Sequence, residues 1–215
     1  MDKDLITVSA THTAVGGVAM SGKQNINVNN QNGGTVNFNL KMRNENSHDN
    51  AEKMIAVQSF SKKYYQLLVT QDESIFQDNT VFIRADVALL SENVPTEIYK
   101  KCSSLNDEGK AFLTKIPAII CMKNTSSPSV KGLENWALYC YVTHITKIGG
   151  NIKINFVPLD IIHKSRFCHD GVAGYFDLNM DCAITDLHRS GWSARKVNLF
   201  DAFKVAGIDN VPVPQ

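Results

Sequence analysis

Apolar and polar positions change rhythm along this chain, and the clearest rhythm runs from Trp136 to Ile162, WALYCYVTHITKIGGNIKINFVPLDII. Two runs rich in β-branched and aromatic residues flank Ile148-Gly149-Gly150-Asn151. A Gly-Gly pair tolerates the positive φ of a tight hairpin turn, so the stretch predicts a β-hairpin. In its second arm Ile152, Ile154 and Phe156 alternate with Lys153 and Asn155, which assigns one face to a core and the other to water. The first arm is apolar on both faces from Leu138 to Val142, as a central strand requires.

Upstream, Met54, Ile55, Phe60, Tyr64, Leu67 and Leu68 recur at helical spacing from Ala51 onward, with Asp49 or Asn50 available as N-cap. Gln71 to Thr80 is a polar break anchored by Ile75 and Phe76. Thr80 to Leu90 reads as a strand carrying Arg84 and Asp86 on one face, a surface ion pair of little energetic value. Pro95 opens a short helix, Thr96 to Cys102, and a second follows from Asn106 to Thr114, capped by Asn106 or Asp107. Ile116 to Met122 is a continuous apolar run and reads as a buried strand, and Asn124 to Lys131 is a Ser/Pro loop. Downstream, Trp192 sits in a further segment, and NLFDAFKVAGIDN closes the chain as a helix. Asn198 caps that helix, Leu199, Phe203 and Val205 or Ala206 form its apolar stripe, and Gly207 suits the left-handed position after its end. Residues 51–215 are therefore expected to form an α+β body, a compact antiparallel β-sheet or small barrel with flanking helices.

Residues 1–44 differ in kind, being rich in Asn and Gly, and residues 45–50 carry no apolar side chain and read as a linker. Ile26-Asn27-Val28 and Val36-Asn37-Phe38-Asn39-Leu40 alternate apolar and amide side chains around turn residues Asn30 to Gly34, the pattern of a small hairpin. A lone hairpin with so small an apolar face is marginal in water. It needs a partner, either the rest of the chain or copies of itself. Stacked copies would align the amides in ladders and interdigitate Ile26, Val28, Val36, Phe38 and Leu40 between sheets, making those five the candidate self-association residues. A disordered tail, or a hairpin completing the sheet of the body, would fit the same pattern.

Composition narrows the function classes. An apolar fraction of 43% and a charged fraction of 20% suffice for a core, and a net charge of +1 gives no global pull toward nucleic acid or an anionic membrane. The longest apolar runs fall far short of the roughly 20 residues a membrane span needs, and the N-terminal MDKDLITVSATHT lacks the basic and apolar regions of a secretory signal. Five widely spaced cysteines, an odd number, fit a reduced cytoplasmic protein.

No GxxxxGK[ST] loop and no CxxC or HExxH motif occurs, so neither a nucleotide cofactor nor a zinc site is signalled, and no cofactor or metal is expected. Reactive side chains are densest at His163, Lys164, Arg166, Cys168, His169 and Asp170, followed by His188, Arg189, Arg195 and Lys196. A catalytic reading takes Cys168 as nucleophile, His144, His163 or His188 as base, and Asp170 or Asp186 as orienting acid; the leading choice is Cys168, His188 and Asp170. A solvated loop with a small core-facing cysteine is the plainer account. A binding reading places Lys164, Arg166, Arg189, Arg195 and Lys196 beside Phe167 and Trp192, charge and stacking surfaces suited to single-stranded nucleic acid.

Gly17, Gly22 and Asn25 followed by Ile26 and Val28 resemble the short Gly- and Asn-punctuated motifs of bacterial and fungal amyloid-type signalling sequences. Similar segments precede sensor or effector modules in bacterial antiphage proteins. From Trp136 to the end, including RSGWSARKVNLFDAFKVAGI, the chain resembles β-rich modules of bacterial defence-operon proteins. The strand-like alternation of a tail without a core of its own points to a non-enzymatic assembly or adaptor component that partners with itself and with other proteins, and the resemblances imply a bacterial antiphage system as its setting. The alternatives are a hydrolase or nuclease-like effector using the His/Cys/Asp cluster, and a module binding nucleic acid or a nucleotide signal.

Overall fold

The computed structural model describes residues 25–29, 35–39, 47–125, 132–180 and 184–215. Two strands, β1 (Asn25–Asn29) and β2 (Thr35–Asn39), are followed by helix α1 (Ser47–Gln58), β3 (Tyr65–Thr70), α2 (Ile75–Asp78) and β4 (Thr80–Arg84). Next come α3 (Thr96–Cys102), α4 (Asp107–Leu113), β5 (Pro117–Met122), β6 (Trp136–Ile148), β7 (Asn151–His163), β8 (Gly191–Arg195) and α5 (Leu199–Val205). The fold is α+β. One sheet has six strands in the order β4-β7-β6-β5-β3-β8, and β1-β2 forms a separate two-stranded sheet.

The expected central hairpin is β6–β7, and Gly149 takes a φ of 59° at its turn. Ile152, Ile154 and Phe156 are buried as their alternation requires, and Ala137 to Cys140 are buried on both faces of β6. Cys140 pairs with Pro158 while Tyr139 pairs with Asp160, which leaves Leu159 as an extra residue. Proline has no N–H to give the ladder, so a bulge beside it is the physically expected place for the register to slip.

Local signals place the helices well. Pro95 precedes α3, the Asn106 side chain accepts from Gly109 N at 2.8 Å at the start of α4, and Asn198 accepts from Phe200 N at 3.2 Å at the start of α5. Past α5, Gly207 has a φ of 63°, and the Arg166 guanidinium donates to the carbonyls of Ala206 and Gly207.

Several expectations are corrected, among them the strand from Thr80 to Leu90, which ends at Arg84. The helical spacing read from Ala51 to Leu68 spans two elements: α1 ends at Gln58, and Tyr65 to Thr70 are a fully buried strand. Within α1, Met54 and Ile55 are exposed at 48% and 70%, so they do not form the apolar stripe the spacing suggested. The sheet is mixed rather than antiparallel throughout, because β3 and β5 pair in parallel, Gln66 opposite Ala118. It is also open rather than a barrel: among the described residues β4 and β8 do not pair, and an isolated bridge joins Ala88, beyond the end of β4, to Trp192, where Leu89 N donates to Trp192 O at 2.7 Å. The helix α1 begins at Ser47, inside the polar stretch before the body. Arg84 and Asp86 do pair on the surface, in the exposed chain where β4 gives way to a short 3-10 turn. The turn at 30–34, Leu40, the glycines at 17 and 22, most of the 124–131 loop and Cys182 lie outside the described residues.

A core covers each face of the six-stranded sheet. Strand alternation sends Leu68, Ile120, Leu138, Ile154 and Trp192 to one side, under α3 and α4, and Tyr65, Leu67, Ile119, Cys121 and Tyr139 to the other, where they meet Phe203 of α5. On the first side the fully buried Gln66 amide makes three hydrogen bonds. Its Nε2 donates to Leu113 O and Ile116 O, both at 2.9 Å, and its Oε1 accepts from Trp192 Nε1 at 3.1 Å. Leu113 ends α4, so one of these bonds satisfies a helix-terminal carbonyl that has no partner within the helix. Gln66→Leu is therefore expected to destabilise the protein by about 2–4 kcal/mol, since it strands the indole N–H of Trp192 and the carbonyl of Ile116 in the core and leaves Leu113 O with only Ile116 N, with urea unfolding as the measurement. Trp192→Phe, which loses one donor and some contact area, is expected to cost less.

Candidate functional site

Four chain segments meet at one end of the sheet. Strand β5 runs out at Met122 into Lys123, Asn124 and Thr125, a 3-10 turn (Leu133–Asn135) precedes β6, another (Lys164–Arg166) follows β7, and a third (Asp186–His188) leads toward β8. Lys123 N donates to Thr70 O and Asn124 N to Leu187 O, both at 2.7 Å, which fastens the first segment to the others. Between them lies a pocket of about 400 Å³ lined by Asn124, Thr125, Glu134, Asn135, Lys164, Cys168 and His188.

Lys164 is 5% exposed. Its ammonium donates to the carbonyl of Met122 and, at 3.0 Å, to Asn124 Oδ1. The Lys164 carbonyl accepts from the backbone N–H groups of Phe167 and Cys168, at 3.0 and 2.9 Å, so the turn that carries the lysine also delivers Cys168 to the pocket.

His188 closes a capping box. Thr185 begins the turn, its side chain accepts from the His188 backbone, and His188 Nδ1 accepts from Thr185 N at 3.2 Å. With Nδ1 an acceptor, the neutral ring carries its proton on Nε2. The spacing Thr185-Asp186-Leu187-His188 was visible in the sequence, with histidine where glutamate or glutamine is usual.

Cys168 and His188 thus share a pocket, and Asp170 does not join them. Asp170 is exposed, and its carbonyl accepts from His169 Nδ1 at 2.8 Å. Asp186 accepts from Asn179 N at 2.9 Å and pairs with Arg195 at 3.2 Å, so it does not orient His188 either. Burial, with a smaller contribution from nearby Cys121, pushes the Cys168 thiol up to about 12, and Lys164 offsets only part of this. The Cys168 and His188 side chains are not hydrogen-bonded to each other among the described residues. Cys168 at neutral pH is a thiol, not the thiolate of an activated nucleophile. Of the other candidate bases, His144 is exposed, and His163 packs edge-on against Trp136 at 4.9 Å with Nδ1 2.7 Å from Ser165 Oγ.

The candidate cations do not gather into one surface. Lys164 faces the pocket, Arg166 caps α5, and Arg189 is exposed. Arg195 pairs with Asp186 and, at 3.8 Å, with Asp177. Lys196 pairs with Glu97 at 3.2 Å, and Glu97 also accepts from Tyr64 Oη at 2.8 Å. Hydrogen bonds from its own backbone, from Tyr64 and from Lys196 hold that carboxyl down at about 2. Trp192 is 1% exposed and Phe167 fully buried, so neither offers a ring for stacking bases. Alternation along β8 explains the split, because Trp192 and Arg195 leave the strand on opposite faces. Asn124, Thr125, Glu134 and Asn135 were not singled out by sequence, and single polar residues in loops carry no periodicity by which to find them.

Among the described residues, no three His, Cys, Asp or Glu side chains converge as a metal site, and no helix is long and apolar enough to cross a membrane. Comparison of the chain with protein-family models, with curated proteins and with solved structures gives no match in any of the three.

The state of Cys168 is directly measurable. A rise from 9.0 to about 12 lowers the thiolate fraction near neutral pH by a factor on the order of 10³. Iodoacetamide labelling of the peptide containing Cys168, followed by mass spectrometry on the folded protein, is expected to be slow and to climb steadily with pH through at least pH ~10. Fast labelling that levels off near neutrality would mark an activated nucleophile.

Proposed function

We propose that the protein is a non-enzymatic assembly component that associates with copies of itself, or docks on a partner protein, through its N-terminal β-hairpin. The observation that carries this reading is the separation of the two sheets: β1 and β2 pair only with each other among the described residues. Their antiparallel register sets Ile26 opposite Phe38 and Val28 opposite Val36, while Asn25 faces Asn39 and Asn27 faces Asn37. In the sequence the apolar residues Ile26, Val28, Val36 and Phe38 occupy alternate positions, with asparagines at 25, 27, 29, 37 and 39 between and beside them. Each strand has an outer edge whose N–H and C=O groups find no strand partner within the described chain, the template on which further strands add. A two-stranded ribbon is marginal in water, and stacking or edge addition removes that deficit.

The resemblance of the same segment to amyloid-type signalling motifs favours an antiphage setting, and the free state of the four cysteines among the described residues fits a reducing, cytoplasmic one. The enzymatic alternative has less support: Cys168 and His188 line one pocket, but the thiol is held protonated and no acid among the described residues orients the imidazole. Nucleic-acid binding has less still, with Trp192 in the core and most of the cations engaged in ion pairs or helix caps.

Light scattering on the full chain beside a variant starting at residue 45 tests the proposal. The full chain is expected to show a mass that grows with concentration, and the shortened one to stay monomeric with the circular dichroism of the body unchanged. Val36→Lys in the full chain is expected to shift the assembly midpoint at least about tenfold, because it places a charge at an apolar position of the ribbon. Equal masses for all three proteins would defeat the reading.

A further inference from the structure

The assembly reading makes no use of the pocket at the end of the sheet. We propose that this pocket binds a small monocarboxylate, gripped by the Lys164 ammonium and the Nε2–H of His188. Lys164 is all but inaccessible to solvent, and both of its hydrogen-bond partners, Met122 O and Asn124 Oδ1, are neutral. An ammonium has three protons, so one remains to donate. A cation taken out of water is stabilised most by an anion brought to it in the same low-dielectric surroundings, and the resulting charge-assisted bonds are among the stronger ones available.

His188 supplies the second donor. Because Nδ1 is committed to Thr185, the ring presents Nε2–H as its remaining polar edge, fixed in direction by the capping box. Asn124, Asn135 and Thr125 add neutral amide and hydroxyl groups to the wall, able to orient the rest of a ligand. The volume of about 400 Å³ falls within the range of small-molecule sites. The ligand's charge is constrained as well: among the described residues of the wall Lys164 is the one side chain with a permanent positive charge, enough to offset one negative charge of a ligand. The site therefore suits a single carboxylate better than a phosphate dianion.

The test is a set of ¹H–¹⁵N spectra of the full chain titrated with acetate, pyruvate or inorganic phosphate. Saturable shifts at the backbone amides of Asn124, Cys168 and His188 are expected with the two carboxylates, and weaker ones with phosphate. Lys164→Met is expected to weaken carboxylate binding by about tenfold or more. That variant also deprives Met122 O of a donor, so His188→Gln provides the cleaner comparison. Glutamine is a customary residue at that position of a capping box, so the turn and the melting temperature are retained while the donor moves. His188→Gln is expected to lose affinity to a similar degree. No saturable shift with either carboxylate, tighter binding of phosphate, or parental affinity in a folded His188→Gln would overturn the proposal.

Discussion

The side-chain amide of Gln66 joins three parts of the body that are far apart in the chain. Its two donated bonds hold the end of α4 and the entry to β5, and the bond it accepts fixes Trp192 of β8. A buried primary amide would be strongly unfavourable unless its donors and acceptor were engaged, and here each is. Because the amide's geometry is rigid, the three bonds hold together only if β3 lies between β5 and β8 at one register. The parallel β3–β5 pair and the antiparallel β3–β8 pair share that constraint.

With β3, β5 and β8 fixed, the ends of the strands fall where they do. The turns after β5 and β7 and before β6 and β8 crowd around a single opening, and a lysine that would be a solvated side chain on a free loop becomes buried there. The same crowding raises the Cys168 thiol. Burial therefore sets the character of this pocket: it suppresses nucleophilic chemistry at Cys168 and strengthens electrostatic attraction at Lys164.

Features specified by neighbours in sequence were legible. Asn106, Asn198, Pro95 and the Gly149-Gly150 turn each act within a few residues, and each sits where pattern reading put it. The β3 strand was not legible, because Tyr64 to Leu68 supply both cores and a stretch buried on both faces matches helical and strand periods alike. The parallel pairing was hidden for another reason: no local feature of Gln66 or Ala118 announces a partner across α2, β4, α3 and α4. At the site, Lys164, Cys168 and His188 stood out by residue type. Trp192 stood out too, yet its face depends on where β8 lies in the sheet, and that placement buries it.

The bond between Trp192 and Gln66 spans 126 positions. During synthesis, β3 leaves the ribosome long before β8 exists, so the flank of β3 that β8 will cover stays unpaired until nearly the whole body has been made. Topologies closed by such distant pairings fold slowly, and their open strands invite association with other chains in the interval. Nascent copies of this protein are thus open to one another along that flank of β3 until Gly191 to Arg195 arrive to cover it.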